Sequence, residues 1–508
     1  MTVCHVIALV MGTWACRYYG FGFRDQARFT LSTPPIVLEV RSLSVNPLAP
    51  SWLQFPDDAN ALAPEVWSQN AARLDSGEIA IAGVASSAIA QEFGTPVYVV
   101  DEADVRTRAS AIRESFDREF AAIGSSAKVY YAGKAFLSIQ VARWMMDAGL
   151  NIDVCSGGEL AVALAAGADP ARLGLHGNNK SLAEIDRSVS VGIGAIVIDS
   201  IVEIERVADA ASRHGRVQPV RLRINSGVHA HTHEYLATAR EDQKFGIPLA
   251  DAAAVVAEIR SHASLEFLGL HSHIGSQIFE SDGFAEAARR LFAVHAELLA
   301  GGPVPELNLG GGFGIAYTSV DKPLDIPEIA KRFAEIVSAG AAELGIPVPV
   351  IAVEPGRAIV GPSTMSLYEV GTIKDVLVSN DEGAATRKYV SVDGGMSDNV
   401  RPALYGADYA VRIANRVSRA DAELVRIAGK HCESGDILVQ SDYLPGDVTP
   451  GDLVAIPATG AYCWALASNY NYLGRPPVVA VLDGKARIIV RGETEADLLS
   501  RDAGLESN

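Results

Sequence analysis

Val129 to Phe136 reads VYYAGKAF, and the fold turns on how that stretch is taken. Val129, Tyr130, Tyr131 and Ala132 make a short β-type run that ends in Gly133 and then Lys134. Leu137, Val141, Trp144 and Met145 follow on one helical face, so the spacing predicts strand, turn and helix. A lysine at the C-terminal end of a buried strand loses hydration unless something there needs an amine. In a barrel of parallel strands, that end is where chemistry sits. A partly desolvated lysine there can form a Schiff base with an aldehyde cofactor. A lysine that snorkels from the strand end to water is the structural alternative.

Working outward, the same pattern recurs. Apolar β runs stand at 129 (VYYA), 152 (IDVC), 173 (LGLH), 195 (AIVI), 220 (VRLRI), 267 (FLGLH), 306 (ELNL) and 349 (PVIAV). Between them lie helical stretches at Glu159–Ala166, Leu182–Val191, Val202–Ala211, Ala252–Ser261, Phe284–Leu299 and Pro327–Leu344. Eight β/α alternations predict an α/β fold, a (β/α)8 TIM-type barrel, with an open doubly wound sheet as the rival. Runs apolar at successive positions suit parallel strands covered on both faces. From Thr364 onward short alternating segments and glycine turns predict an antiparallel β domain, with which early strands near residues 79 and 97 are candidates to pair.

The expected organisation is an N-terminal extension over 1–45 outside the folded core, a segment over 46–105, a barrel over 106–360 and a β domain over 361–508. Val6–Cys16 is apolar but too short to span a bilayer and lacks the basic start of a secretory signal; a weak signal or lipid anchor is the alternative. The net charge of −18 argues against nucleic acid or an anionic membrane as partner. Five cysteines are widely spaced without a C-x-x-C, so no metal centre is expected, and free thiols in a cytoplasmic protein are.

Polar residues gather just beyond the strand ends: Lys134, Asp153, Ser156, His176, Asn178, Arg223, Asn225, His273, Ser276, Gly310–Gly312, Glu354 and Arg357. If the barrel closes, they converge on one rim. The glycine turn GGGFG (310–314) allows backbone N–H groups to approach a phosphate, or is simply a tight turn. It follows the seventh strand and Glu354-Pro355-Gly356-Arg357 follows the eighth, the usual place for a barrel's phosphate site. Glu354 ends an apolar strand; it either pairs with a pyridinium nitrogen or makes a salt bridge with Arg357. His273 could lie flat on such a ring, or be a core histidine.

The segments YYAGKA, DVCSGGEL, RINSGVHAHTH, KFG, HSHIGSQ, LNLGGGFG, EPGR, CESGD and GAY occur in this order. Together they resemble the fold-type III pyridoxal-phosphate decarboxylases, which share an alanine-racemase-like barrel, and within them the diaminopimelate decarboxylase family. The likeness runs from about Asn46 to the C-terminal region and does not cover the first 45 residues, whose presence could reflect the choice of start site.

That resemblance implies a carboxy-lyase that converts meso-2,6-diaminopimelate to L-lysine and CO2, the last step of lysine biosynthesis, with pyridoxal 5'-phosphate as cofactor. It implies that Lys134 carries the cofactor, His273 stacks on its ring and Glu354 pairs with its nitrogen. Asp153, Arg223, Ser276, Gly310, Gly311, Gly312, Gly356, Arg357 and Tyr462 complete the cofactor site. Arg357, Arg401, Tyr405, Glu433 and Tyr462 are implied for substrate, and Cys432 as proton donor. Cys432 and Glu433 are implied to come from a second subunit, hence a homodimer with shared active sites. The chemistry agrees: two guanidinium forks suit a distal carboxylate, Glu433 suits the distal ammonium, and a thiol can reprotonate a carbanion. An inert thiol at Cys432 is the alternative. Rival readings are a decarboxylase of another basic amino acid such as ornithine or arginine, a non-catalytic relative that binds cofactor, and an alanine-racemase-like isomerase.

Overall fold

Strand β-branching and glycine punctuation set the N-terminal elements first. β1 (Ala71–Arg73), β2 (Ile79–Ile81) and β3 (Val84–Ala85) form a three-stranded antiparallel sheet, and α1 (Ser86–Phe93) leads to β4 (Val97–Asp101) and α2 (Glu102–Ala122). This computed structural model describes residues 46–228, 244–279, 282–380 and 383–504. The 1–45 extension and the histidines of RINSGVHAHTH, His229 to His233, lie outside the described residues. The long α2 was not among the expected helices. Its charged composition masks a buried stripe through Val105, Ala109, Ile112, Phe116 and Phe120, and Asp101 caps it by accepting from the N–H of Asp104.

The barrel strands are β5 (Ala127–Ala132), β6 (Asn151–Val154), β7 (Leu173–Leu175), β8 (Ala195–Ile198), β9 (Gln218–Asn225), β11 (Leu265–His271), β12 (Glu306–Asn308) and β13 (Val350–Val353). A two-residue β10 (Ile247–Pro248) adds to β9. All pair in parallel, and pairings of β8 with β9 and of β13 with β5 close the ring. Closure decides between the two expected folds in favour of the (β/α)8 barrel. β7, β8 and β12 are buried at every position, as strands covered on both faces must be.

The outer helices are α3 (Ile139–Asp147), α4 (Gly157–Ala165), α5 (Leu182–Val191), α6 (Ile201–Arg213), α7 (Ala252–Ser261), α8 (Asp282–Leu299), α9 (Ile326–Leu344) and the short α10 (Arg357–Val360). Their starts are chemically marked. Ser138 and Ser156 accept from the third backbone N–H beyond them, and Ser181 with Glu184 makes a reciprocal capping box. Ser138 therefore sets the start of α3 at Ile139, and Leu137 falls just before the helix rather than within it. Lys134 sits on a single 3-10 turn, Gly133–Ala135, between β5 and α3.

β14 (Thr364–Asn380), β15 (Gly383–Val392), α11 (Arg401–Tyr405), β16 (Arg412–Ile413), β17 (Ala422–Ala428), β18 (Ile437–Pro445), β19 (Leu453–Ile456), β20 (Val478–Leu482), β21 (Lys485–Val490) and α12 (Glu495–Leu499) follow the barrel. The sheet order is β18-β17-β15-β14-β4-β20-β21, with β19 beside β14 and β16 beside β19. It is antiparallel in most pairings, as expected, with two parallel exceptions, β15–β17 and β4–β20. Both parallel pairs join strands separated by long connections, the condition parallel neighbours require. β4 thus hydrogen-bonds to β14 and β20, whereas β2 stays in the small sheet. Among the described residues, no helix is long and apolar enough to cross a membrane.

Candidate active site

Glu354 follows β13 inside the mouth of the barrel and is buried. Its backbone N–H donates to Gly310 O at 2.9 Å. Among the described residues, the contacts to its carboxylate fall on Oε1: Asn308 Nδ2 donates at 2.7 Å, His271 Nε2 lies at 3.0 Å and His176 Nε2 at 3.6 Å. His176 Nε2 also lies 3.1 Å from Asp153 Oδ1. The two imidazoles meet edge to face, centroids 5.2 Å apart. These nitrogens are close but off the hydrogen-bond axis, so both oxygens of Asp153, His176 Nε2 and both ring nitrogens of His271 are buried without an aligned partner. Such atoms cost about 1–3 kcal/mol each until something completes the cluster.

Burial acts against the charge on Glu354, but His271 and His176 outweigh it and hold this carboxyl well below the ordinary range. Burial pushes Asp153 the other way, upward, with Glu354 adding to the rise. Burial also pushes His271 down to about 4, so at neutral pH it is an uncharged N–H donor. No salt bridge joins Glu354 to Arg357 among the described contacts; the alternative role considered for Glu354 is filled by imidazoles instead. The ligand atoms of His176, His271 and Glu354 lie within 4.8 Å of one another, a grouping of the metal-ligating type that no sequence spacing announced.

The glycine turn is packed against this cluster. A Cβ on Gly311 would stand 2.0 Å from Glu354 O, and one on Gly312 2.3 Å from Gly275 O. Gly310 and Gly312 have φ of 71° and 107°, which glycine alone adopts without strain. Gly310 N–H donates to Asn308 Oδ1 at 2.8 Å and Gly311 N–H to His273 Nδ1 at 3.3 Å. Burial, then the charge of Lys134, pushes half-buried His273 well below its usual range, so a neutral ring faces the turn. Gly356 permits the β5 end to approach: its Cβ would be 3.0 Å from the Cβ atoms of Ala132 and Ala135, and Ala132 N–H donates to Pro355 O at 3.0 Å. Lys134 itself is exposed, not desolvated as expected, and its ammonium acts on Cys155, Glu159 and His273.

Two guanidinium groups meet beside this pocket. Arg357 Nη2 donates to Ser276 Oγ at 2.8 Å and its Nη1 to the Tyr317 hydroxyl. Arg357 also lies 4.7 Å over the Tyr462 ring, and Tyr462 N–H donates to Ala135 O at 2.9 Å, which ties the C-terminal loop to the Lys134 turn. Arg401 is buried, stacks 4.5 Å over the Tyr317 ring and donates to the Tyr409 hydroxyl. Arg223 lies 3.7 Å from Asp199 and 4.2 Å over Phe245 of the KFG segment.

Asp153, His273, Gly310–Gly312, Glu354 and Gly356 pack as one cluster, Arg357 links it to Ser276, Arg401 and Tyr462 through Tyr317 and the C-terminal loop, and Lys134 and Arg223 act on His273 by their charge, so these groups make up the candidate site. Cys432, Glu433 and Tyr405 are exposed, and no described contact joins them to it. Glu433 lines a cavity of about 360 Å³ with Met396, Val400, Gly435, Ser468 and Tyr470. Sequence reasoning assigned no role to His271, Asn308, Tyr317 or Tyr409. The signal for the first two was present in HSH and LNL, where a polar residue interrupts an apolar strand end.

Residues 102–361 match the family model for the pyridoxal-dependent decarboxylases, pyridoxal binding domain. The chain is 52% identical over 447 residues to a diaminopimelate decarboxylase of Mycobacterium tuberculosis strain H37Rv, covering 86% of this chain and 98% of that one. The one from Bacillus subtilis strain 168 is 43% identical over 430 residues, covering 84% and 95%. The crystal structure of diaminopimelate decarboxylase from M. jannaschii in co-complex with L-lysine superposes with a TM-score of 0.78 at 31% identity, covering 86% and 98%. A fold shared with these structures, a matching pyridoxal-binding barrel and this level of identity place the chain in the diaminopimelate decarboxylase family of pyridoxal-dependent decarboxylases.

Proposed function

We infer that the chain removes CO2 from meso-2,6-diaminopimelate to give L-lysine, with pyridoxal 5'-phosphate as its cofactor. The observation that carries the reading is the convergence of Lys134, Glu354 and a Tyr317-linked pair of guanidinium groups on one barrel mouth. The residues present fit the cofactor. Lys134 offers an exposed amine with no hydrogen bond or ion pair among the described residues, and the Gly310–Gly312 turn with Ser276 and Arg357 offers donors for a phosphate. Glu354 keeps Oε2 clear of any described partner, ready for a protonated ring nitrogen, while neutral His273 supplies a flat face. The cofactor, once bound, supplies an electron sink for the bond broken at Cα.

The chain's own groups do the rest. Arg357 and Arg401 bind the carboxylate at the end that does not react. Glu433 takes the distal ammonium, and Cys432 Sγ holds the proton that replaces the departing carboxylate. Both are exposed on the C-terminal domain, which supports their delivery from a second copy in a homodimer. A cytoplasmic setting is part of the reading, supported by the free thiols of Cys155, Cys432 and Cys463.

The test is CO2 release from meso-diaminopimelate, its other stereoisomers, ornithine and arginine, with pyridoxal phosphate added. Turnover confined to the meso isomer is expected; faster turnover of ornithine or arginine would transfer the assignment to that substrate. Lys134→Ala should lose both turnover and the visible absorbance of the bound cofactor.

A further inference from the structure

Three side chains from the ends of three other strands meet one oxygen of Glu354. Asn308, at the end of β12, donates to Oε1. His271, the last residue of β11, lies 3.0 Å from the same oxygen, and His176, just past β7, lies 3.6 Å from it. Asp153 on β6 lies 3.1 Å from the same Nε2 of His176. Oε1 is therefore crowded with three nitrogen groups while Oε2 has no described partner. An unconstrained carboxylate rotates and can present either oxygen; this one is fixed at one end.

The cluster also has to accommodate charge. Two buried carboxyls, Asp153 and Glu354, flank one imidazole, and both cannot easily be anionic there. A protonated Asp153 carboxyl relieves that conflict and leaves Glu354 as the anion. The charge of Arg223 acts on Glu354 and favours the same distribution. Burial raises Asp153 while the imidazoles lower Glu354, in agreement with it.

We propose that His271 and His176 are positioning residues for Glu354: together with Asn308 they hold Oε1 and so reserve Oε2 for the ring nitrogen of the cofactor. This rests on the assignment of pyridoxal phosphate to the site. The off-axis approach of both imidazoles is what a site shows before its ligand draws the hydrogen bonds into line. Histidine is suited to the task because a buried neutral ring gives a donor at one nitrogen without adding a second charge. Residues that orient a ligand's direct partner commonly account for about 10–100-fold in affinity when removed.

The experiment measures cofactor affinity of the full-length apoprotein by quenching of intrinsic fluorescence, in the presence of a chelator so that no cation occupies the imidazoles. Two probes are used: pyridoxal phosphate, and its 1-deaza analogue, in which the ring nitrogen is replaced by carbon. Wild type should prefer the natural cofactor. His271→Asn, which moves the side-chain donor away from the Nε2 position, should weaken the natural cofactor about tenfold and leave the analogue nearly unaffected. His271→Gln, which keeps a donor near that position, should recover most of the loss. His176→Ala should behave like His271→Asn.

A merely structural role predicts equal losses for both probes, and that result overturns the proposal. So does discrimination between the probes that survives in His271→Asn and His176→Ala. Equal binding of the two probes by wild type would instead remove the assigned role of Glu354, the reading beneath it. Should His176→Ala not fold, the Asn and Gln variants at 271 decide the matter, because both retain a polar side chain of similar volume.

Discussion

At the scale of single residues, the site is built from groups that are each unremarkable alone and constrained by one neighbour. Tyr317 is the clearest case. Its hydroxyl accepts from Arg357 and its ring lies under Arg401, so one side chain spaces two like charges. Tyr317→Phe leaves the ring and removes the acceptor, so Arg357 loses its fixed direction. KM for diaminopimelate should rise about tenfold, from an unpaired polar group worth about 1–3 kcal/mol, with little change in melting temperature. An unchanged KM would mean that Ser276 alone orients Arg357. The sequence announced Arg357 and Arg401 as cations suited to a carboxylate. It said nothing of Tyr317, because a tyrosine after a glycine turn is as readily a core aromatic.

At the scale of elements, strand ends carry the chemistry and loops fold back onto the strands of their own sheet. β4 and the turn after β15 meet where the Tyr98 hydroxyl donates to the backbone oxygen of Asp398. Burial pushes the Asp398 carboxyl up to about 7 from an ordinary 3.8. The folded state therefore binds a proton that the unfolded chain has released between those values. Stability from this group is complete below the unfolded value and is lost as pH rises through about 7. Asp398→Asn keeps an oxygen for the Gly395 N–H, which now reaches Oδ1 at 2.8 Å, and removes the titration. Melting temperature measured from pH 4 to 7 should fall less with rising pH in the variant than in wild type; parallel curves would contradict the assignment. The barrel strands and most of the outer helices were legible because apolar spacing is a local signal; the charged α2 was not. The parallel pairings β15–β17 and β4–β20 were not, since pairing partners depend on the path of the chain between them.

At the scale of the whole molecule, the barrel mouth of one chain gathers Lys134, Glu354 and the two arginines, while Cys432 and Glu433 remain exposed elsewhere on its surface. If two copies share their sites, Lys134→Ala and Cys432→Ala homodimers should each be nearly inactive, and mixing them with subunit exchange should restore about one quarter of wild-type activity, since half of the dimers regain one intact site of two. No recovery after verified exchange would place both groups in one subunit. The amino-acid sequence by itself determined the alternation of eight strands with helices, the lysine, glycines and acid at their ends, and the family to which those segments correspond. Tertiary structure alone decided that Asp153, His176, His271 and Glu354 form one buried charge system, and that Oε2 is the oxygen left open. The reason is physical: periodicity and capping act between residues a few positions apart, whereas desolvation and Coulomb attraction depend on distance through space, and barrel closure brings chain positions 153 and 354 within reach of one imidazole.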